Sequence, residues 1–420
     1  MPDRINTPID RRTFVRRAGV ISGTVAVAGC STDDGDSDDP GDEDDGTETT
    51  DDGGEDSFGP PIRTVEDPPD AVYLPTHRES MRTLEPVEAG EYLLAPMLSY
   101  PHPFWIVTGA GEREGTVERV EVDSGHGVHL MVTVWDAETG IVLPVDEGAR
   151  ITIERDGDQV GPPHSPWTMI SQQMGFHFGD NVPLDGDGTY TATVELPPLS
   201  VRKTGALEGR LTERATASFE FVYDDDFREA VIDGVEYFDQ DRWGRPGALE
   251  PMGHGEDGDH GSGSIPYSAL PELEDYPGTL LVDPDADARP DDTTALPRSG
   301  DAAILAVLFD AGTRLADGDE RYLLVSPRTP YNRVPLADMS LHASVERDGE
   351  VVSELPLEQT IDGEYDHHYG ESIPDVRPGD SVTITIESPP QVARHQGYDT
   401  AFLEMPPVEL TVPAAANGGD

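Results

Sequence analysis

Short runs of alternating apolar and polar residues, separated by Gly, Pro and Asp, fill the chain from about residue 62 to 223. Residues 118–122, 129–135, 150–154, 190–196 and 217–223 repeat with period two and are rich in Val, Ile, Thr, Phe and Tyr. That is the signature of strands with one buried face. Turn chemistry stands between them, as in Glu138-Thr139-Gly140, Asp156-Gly157 and Asp185-Gly186-Asp187-Gly188. No helical periodicity runs for three turns, although residues 226–238 are compatible with a short helix. Many short strands that must each bury one face predict an all-β fold of antiparallel β-sandwich type.

The pattern occurs twice. Residues 151–160 match 343–352, residues 175–183 match 367–374, and residues 191–198 match 381–390. In this alignment His177 falls on His368 and Gly179 on Gly370. The order is the same in both copies, so the sequence predicts two tandem sandwiches, at 60–225 and 299–415, each long enough to bury a core. Between them, 226–298 is rich in Gly, Pro and Asp and reads as a linker, with 416–420 as a tail.

The N-terminal residues carry a different signal. Arg11-Arg12-Thr13-Phe14-Val15-Arg16 precedes a short apolar run and then Val27-Ala28-Gly29-Cys30. The run is too short to span a bilayer, which takes about 20 residues. The arginine pair resembles a twin-arginine export signal, and the small residues before Cys30 resemble a lipobox. The expectation is therefore a signal over 1–30, with lipidation at Cys30 and anchoring outside the cytoplasmic membrane. Residues 31–59 are almost all Asp, Glu, Gly, Ser and Thr, a composition expected to stay disordered as an acidic tether.

Acidic residues number 84 and basic residues 28, a formal charge of −56. Residues 31–56 hold 14 of the 84, so the excess covers the whole chain. Such a surface excludes nucleic acid as a partner and limits contact with anionic membranes to an anchor. With Lys203 as the only lysine, the balance reads as adaptation to high salt, where screening removes self-repulsion. Cys30 is the only cysteine, so no intrachain disulfide forms.

Candidate chemistry centres on residues 169–181. Met169, Met174 and His177 fall within this stretch, and His126 and His129 enter a nearby strand. Imidazole suits first-row transition metals, and thioether adds a preference for copper. In the second copy, His367 and His368 follow an acidic segment and His342 lies on a strand, but no Met stands at the matching position. That copy reads as a structural or docking module. His254 and His260 sit in the linker. No nucleophile elbow, His-Glu-x-x-His, phosphate loop or dinucleotide fingerprint is present, so no enzyme activity is expected.

The stretch 129–223 resembles the periplasmic iron-transport lipoprotein family. The resemblance rests on Met169, on Gly175-Phe176-His177-Phe178-Gly179-Asp180-Asn181, on Pro197-Pro198 and on Phe219-Glu220-Phe221-Val222-Tyr223. It implies an immunoglobulin-like β-sandwich that binds copper, iron or zinc, often as a homodimer, and supports metal uptake through a membrane permease. It assigns His129, Met169 and His177 as metal ligands, with Met174, His126 and His368 as secondary candidates. The family pattern is incomplete: Met131 stands where an acidic residue is expected, and Trp135 and Val194 where histidines are. A cell-surface interaction or structural module that binds no metal is the alternative.

Overall fold

The computed structural model describes residues 62–109, 117–123, 125–144, 148–252, 265–267, 276–282 and 296–413. The expected export signal with Arg11 and Arg12, the lipidation site Cys30, the acidic tether, His254, His260 and the tail 416–420 lie outside the described residues.

The protein is all-β, and its sheets stack in sandwich-like layers. The principal strands of the first half are β1 (Tyr92–Ser99), β2 (Phe104–Val107), β3 (Val117–Val120), β4 (His126–Asp136), β5 (Arg150–Arg155), β6 (Trp167–Ser171), β7 (Gly175–Pro183), β8 (Gly188–Leu196) and β9 (Ala215–Tyr223). A helix, α1 (Asp225–Asp233), follows and overlaps the segment expected to be helical. Asp224 caps it by accepting a hydrogen bond from the Phe227 backbone N–H at 2.8 Å. The second half supplies β10 (Ala302–Phe309), β11 (Arg321–Arg328), β12 (Ser340–Arg347), β13 (Glu350–Asp362), β14 (Asp366–Ile373), β15 (Ser381–Ser388), β16 (Ala393–Arg394) and β17 (Val408–Thr411).

One sheet of the first sandwich runs β1-β4-β7-β6-β16-β2-β3, and the facing sheet runs β9-β8-β5. Alternation decides which residues meet between the layers. On β4, Val128, Leu130, Val132 and Val134 face the core, where they join Ile151, Ile153, Tyr190, Ala192, Phe219 and Phe221 of the facing sheet. The intervening His129, Met131 and Thr133 point to the opposite face. That face is also covered, since His129 and Met131 are fully buried.

The second sandwich repeats these pairings in register. Met169 lies opposite His177 across β6 and β7, and Thr360 lies opposite His368 across β13 and β14. Gly179 faces Met131 on one side and Trp167 on the other, while Gly370 faces Leu324 and Glu358. The two copies are interlocked. β16 leaves the second half and inserts into the first sheet, parallel to β6 and antiparallel to β2. Residues 202–204 reciprocate by pairing with the end of β13.

Segments from both ends of the described chain cover the outer face of the first sheet. The Gln172 side-chain amide donates to the Tyr73 carbonyl at 2.8 Å, and its oxygen accepts from the Leu249 N–H at 2.8 Å. The Tyr73 hydroxyl donates to Asp399 at 2.7 Å, and the Thr76 N–H donates to the Gln396 side chain at 2.8 Å. Burial of His129 and its neighbours therefore depends on segments far apart in sequence, as the 326-residue separation of Tyr73 from Asp399 shows.

Candidate metal centre

Four imidazoles converge on the covered face of the first sheet. His129 is on β4 and His177 on β7. His102 follows β1 in the segment Pro101-His102-Pro103, and His395 follows β16. One ring nitrogen from each of His102, His129 and His395 lies within 4.8 Å of the others, and all three side chains are buried. Ring centroids are 4.1 Å apart for His102 and His129, 5.0 Å for His102 and His395, and 5.6 Å for His129 and His395. His177 stands beside this triad, its Nε2 3.2 Å from the Nε2 of His395.

The hydrogen bonds fix which nitrogen of each ring is free. The Asn181 Nδ2 donates to the His102 carbonyl at 3.0 Å, and its Oδ1 accepts from the His102 N–H at 3.3 Å. With the amide so oriented, Oδ1 faces His129 Nδ1 at 2.9 Å as an acceptor, so Nδ1 carries the proton. His102 Nδ1 lies 3.1 Å from the Pro103 carbonyl, and His177 Nδ1 lies 3.2 Å from the Gly175 carbonyl. A carbonyl only accepts, so these nitrogens are protonated too. All three rings present a bare Nε2 lone pair. Burial holds the His102 and His177 imidazoles at about 4 and about 3, and drives His129 well below the ordinary range, so each is neutral at pH 7.

Glu79 completes the surroundings. Its carboxylate is 3.4 Å from His102 Nε2 and 3.3 Å from His395 Nδ1. Burial works to raise its carboxyl, but the neighbouring His102 and His395 outweigh burial and hold it well below the carboxylate range. Glu79 and His395 also line a small surface pocket with His77, Met81, Gln172 and Gln173. Met169 supplies a thioether. A Cβ built on Gly179 would stand 2.9 Å from Met169 Sδ and 3.2 Å from His129 Nε2, so glycine at this position leaves both donors one shared notch.

These residues fit a transition-metal ion. Buried nitrogens normally have hydrogen-bond partners, yet the Nε2 atoms of His102 and His129 have none. Two imidazole nitrogens on a tetrahedral ion, each at about 2.0–2.1 Å, sit about 3.3 Å apart. The 3.2 Å between His177 and His395 matches that edge. Each ring of the other three has its remote Nδ1–H bound to a fixed oxygen, the usual way an imidazole ligand is oriented. Nitrogen, sulfur and carboxylate donors together suit copper, iron or zinc.

Of the residues singled out from sequence, His129, Met169 and His177 gather here. Met174 packs instead among other methionines. His126 stays at the edge of β4, where its Nδ1 accepts from the Asp123 N–H at 3.0 Å. His368 belongs to the second sandwich, with Nδ1 3.0 Å from the Asp366 carbonyl and Nε2 3.1 Å from the Tyr322 hydroxyl. There, Tyr322 stands at the position of His129, Thr360 at that of Met169, and Ser372 at that of Asn181. His102, His395 and Glu79 escape sequence reasoning. Pro101-His102-Pro103 carried a local signal, a histidine held rigid at a strand end, whereas nothing near His395 or Glu79 marks them.

A model of a domain of unknown function (DUF7350) matches residues 274–411. No curated protein matches the chain. Among solved structures the chain is similar to FetP of uropathogenic Escherichia coli strain F11. A copper-bound variant is 21% identical over 34% of this chain and 97% of that chain, with a TM-score of 0.26. The protein as isolated is 21% identical over 34% of this chain and 96% of that chain, with a TM-score of 0.25.

Proposed function

We propose that the protein binds a transition-metal ion outside the cytoplasmic membrane and supports its uptake. The ion would be copper, iron or zinc, held by His102, His129, His177 and His395 with Met169 and Glu79 at the margin. One observation carries this reading: buried imidazoles whose Nδ1 protons are all committed elsewhere turn unpartnered Nε2 lone pairs toward one another. A bound cation would relieve that arrangement without breaking the bonds to Asn181 and Pro103. The pocket beside Glu79 supports exchange of the ion with solvent, as delivery requires.

The remaining parts rest on the sequence. The Arg11-Arg12 pair and Cys30 support export and a lipid anchor, the acidic surface supports a high-salt environment, and delivery to a membrane permease follows from the family resemblance. A homodimer is part of the same proposal. The protein has no enzyme activity in this reading.

A second reading has an observation in its favour. Glu79, His395 and His177 form a continuous chain at 3.3 and 3.2 Å. With protons on both nitrogens of His395, that chain would be a structural hydrogen-bond network in a cell-surface module. Metal analysis separates the two. Untagged protein purified in high salt should carry close to one equivalent of copper, iron or zinc, and the His129→Ala, His395→Ala double variant should carry none. Absence of micromolar binding in the wild type refutes the metal reading and leaves the structural one.

A further inference from the structure

We propose that the methionines beside the imidazole centre form a second metal site, which takes a soft monovalent ion such as Cu(I). Met97, Met131 and Met174 are buried together, and Met81, Met252 and Ile265 pack on them. Five of these six residues are methionine, in a chain with nine methionines among 420 residues. The large central core contains only Met339 and Met405.

The strand registers bring them together. Met97 on β1 lies directly opposite Met131 on β4, and Met131 lies opposite Gly179 on β7. Met131 thus shares the outer face of the sheet with His129, and its Cγ is 3.5 Å from the notch at Gly179 that Met169 and His129 also border. Met174 follows the Gln172-Gln173 turn, where its N–H donates to Ser171 at 3.0 Å. Met252 is fixed over the cluster by its N–H bond to the Gln173 carbonyl at 2.8 Å. Met81 and Met252 are partly exposed, and Met81 lines the same pocket as Glu79 and His395. The thioethers therefore run from the pocket mouth to the edge of the imidazole centre.

The chemistry selects the ion. Thioether sulfur is soft and neutral, so it favours Cu(I) over harder cations. Burying a divalent charge among neutral donors, with no carboxylate in the cluster among the described residues, leaves most of its desolvation cost unrecovered, and a single charge costs far less. The imidazole centre, with Glu79, offers nitrogen and anionic donors to a divalent ion. The two sites differ in ligand class and share one entrance. This inference does not rest on the proposed function, because none of its ligands belongs to the imidazole set.

Methionines that only fill space should be exchangeable for leucine at nearly constant volume. The test is the full chain and its Met97→Leu, Met131→Leu double variant, titrated anaerobically with Cu(I) against a chromogenic Cu(I) chelator and, separately, with Zn(II). The double variant should lose one equivalent of chelator-resistant Cu(I) and keep the wild-type Zn(II) stoichiometry. X-ray absorption on His129→Ala, His395→Ala protein loaded with Cu(I) should show a sulfur-only shell. A folded double-leucine variant that retains all its Cu(I), or a shell without several sulfurs, overturns the proposal. Should that variant fail to fold, Met174→Leu and the absorption experiment give the same decision. Failure of Zn(II) to bind any protein would count against the imidazole centre alone.

Discussion

Asn181→Ala probes the device that fixes the imidazole centre. The Asn181 side chain makes three buried hydrogen bonds, to the His102 N–H at 3.3 Å, the His102 carbonyl at 3.0 Å and His129 Nδ1 at 2.9 Å. Truncation leaves all three partners unsatisfied, and at about 1–1.5 kcal/mol each the loss is about 3–4.5 kcal/mol, less if water enters the vacated space. The effect on metal is separate. Without the Oδ1 acceptor the His129 proton is free to move to Nε2, which removes the lone pair from the ligand set. Loss of such an orienting partner costs roughly 10–100-fold in metal affinity. Chemical denaturation measures the first quantity, competitive metal titration the second, and nitrogen chemical shifts of the imidazoles report the tautomer directly. A variant that is folded, keeps the Nδ1–H form of His129 and binds metal within twofold of wild type would refute the reasoning. Asn181→Asp keeps an acceptor for His129 and should retain more affinity than the alanine.

Gly179→Ala places a methyl 2.9 Å from Met169 Sδ and 3.2 Å from His129 Nε2. It should cost about 1 kcal/mol of stability by crowding a flexible thioether, and should lower metal affinity by roughly tenfold or more, read by denaturation and titration. Metal at a hundredfold excess over its Kd should stabilise the wild type by about 2.7 kcal/mol, seen as a rise in Tm, and should leave the Tm of the His129→Ala, His395→Ala variant unchanged. Asp362 gives a pH dependence remote from the metal. Burial works to raise its carboxyl, but Arg314 at 2.5 Å and Thr204 at 2.5 Å hold it at about 2. A depressed carboxylate contributes stability that is complete above its unfolded value near 3.8 and fades as pH falls toward 2. The contribution is about 2 kcal/mol at neutral pH. The stability difference between wild type and Asp362→Asn should therefore shrink as pH falls from about 4 to about 2 in denaturant titrations.

Sequence by itself determined the layers and their contents. Alternation along 129–135 marked a strand of period two, because that period is a property of the local backbone, and the structure sets Val132 and Val134 on the core face and Met131 with the methionines of the other. The match of His177 to His368 and of Gly179 to Gly370 is repeated in the strand registers. The match also located what differs between the copies, since Met169 has Thr360 as its counterpart. Donors carried by strands of one sheet were legible because register follows from alternation.

Tertiary structure alone decided which donors meet. His395 lies 218 residues from His177, and Glu79 lies 316 residues from His395. β16 carries His395 into the first sheet by inserting between β6 and β2, and a two-residue strand leaves no periodic trace in the sequence. Glu79 arrives on a covering segment secured through Gln173, whose side chain accepts the Glu79 N–H at 3.1 Å. The methionine cluster has the same origin. Met97 and Met131 are 34 positions apart in sequence and become neighbours only because β1 and β4 pair in one register. Patterning is encoded locally, but a metal site needs donors at one point in space, and only the closed chain brings them there.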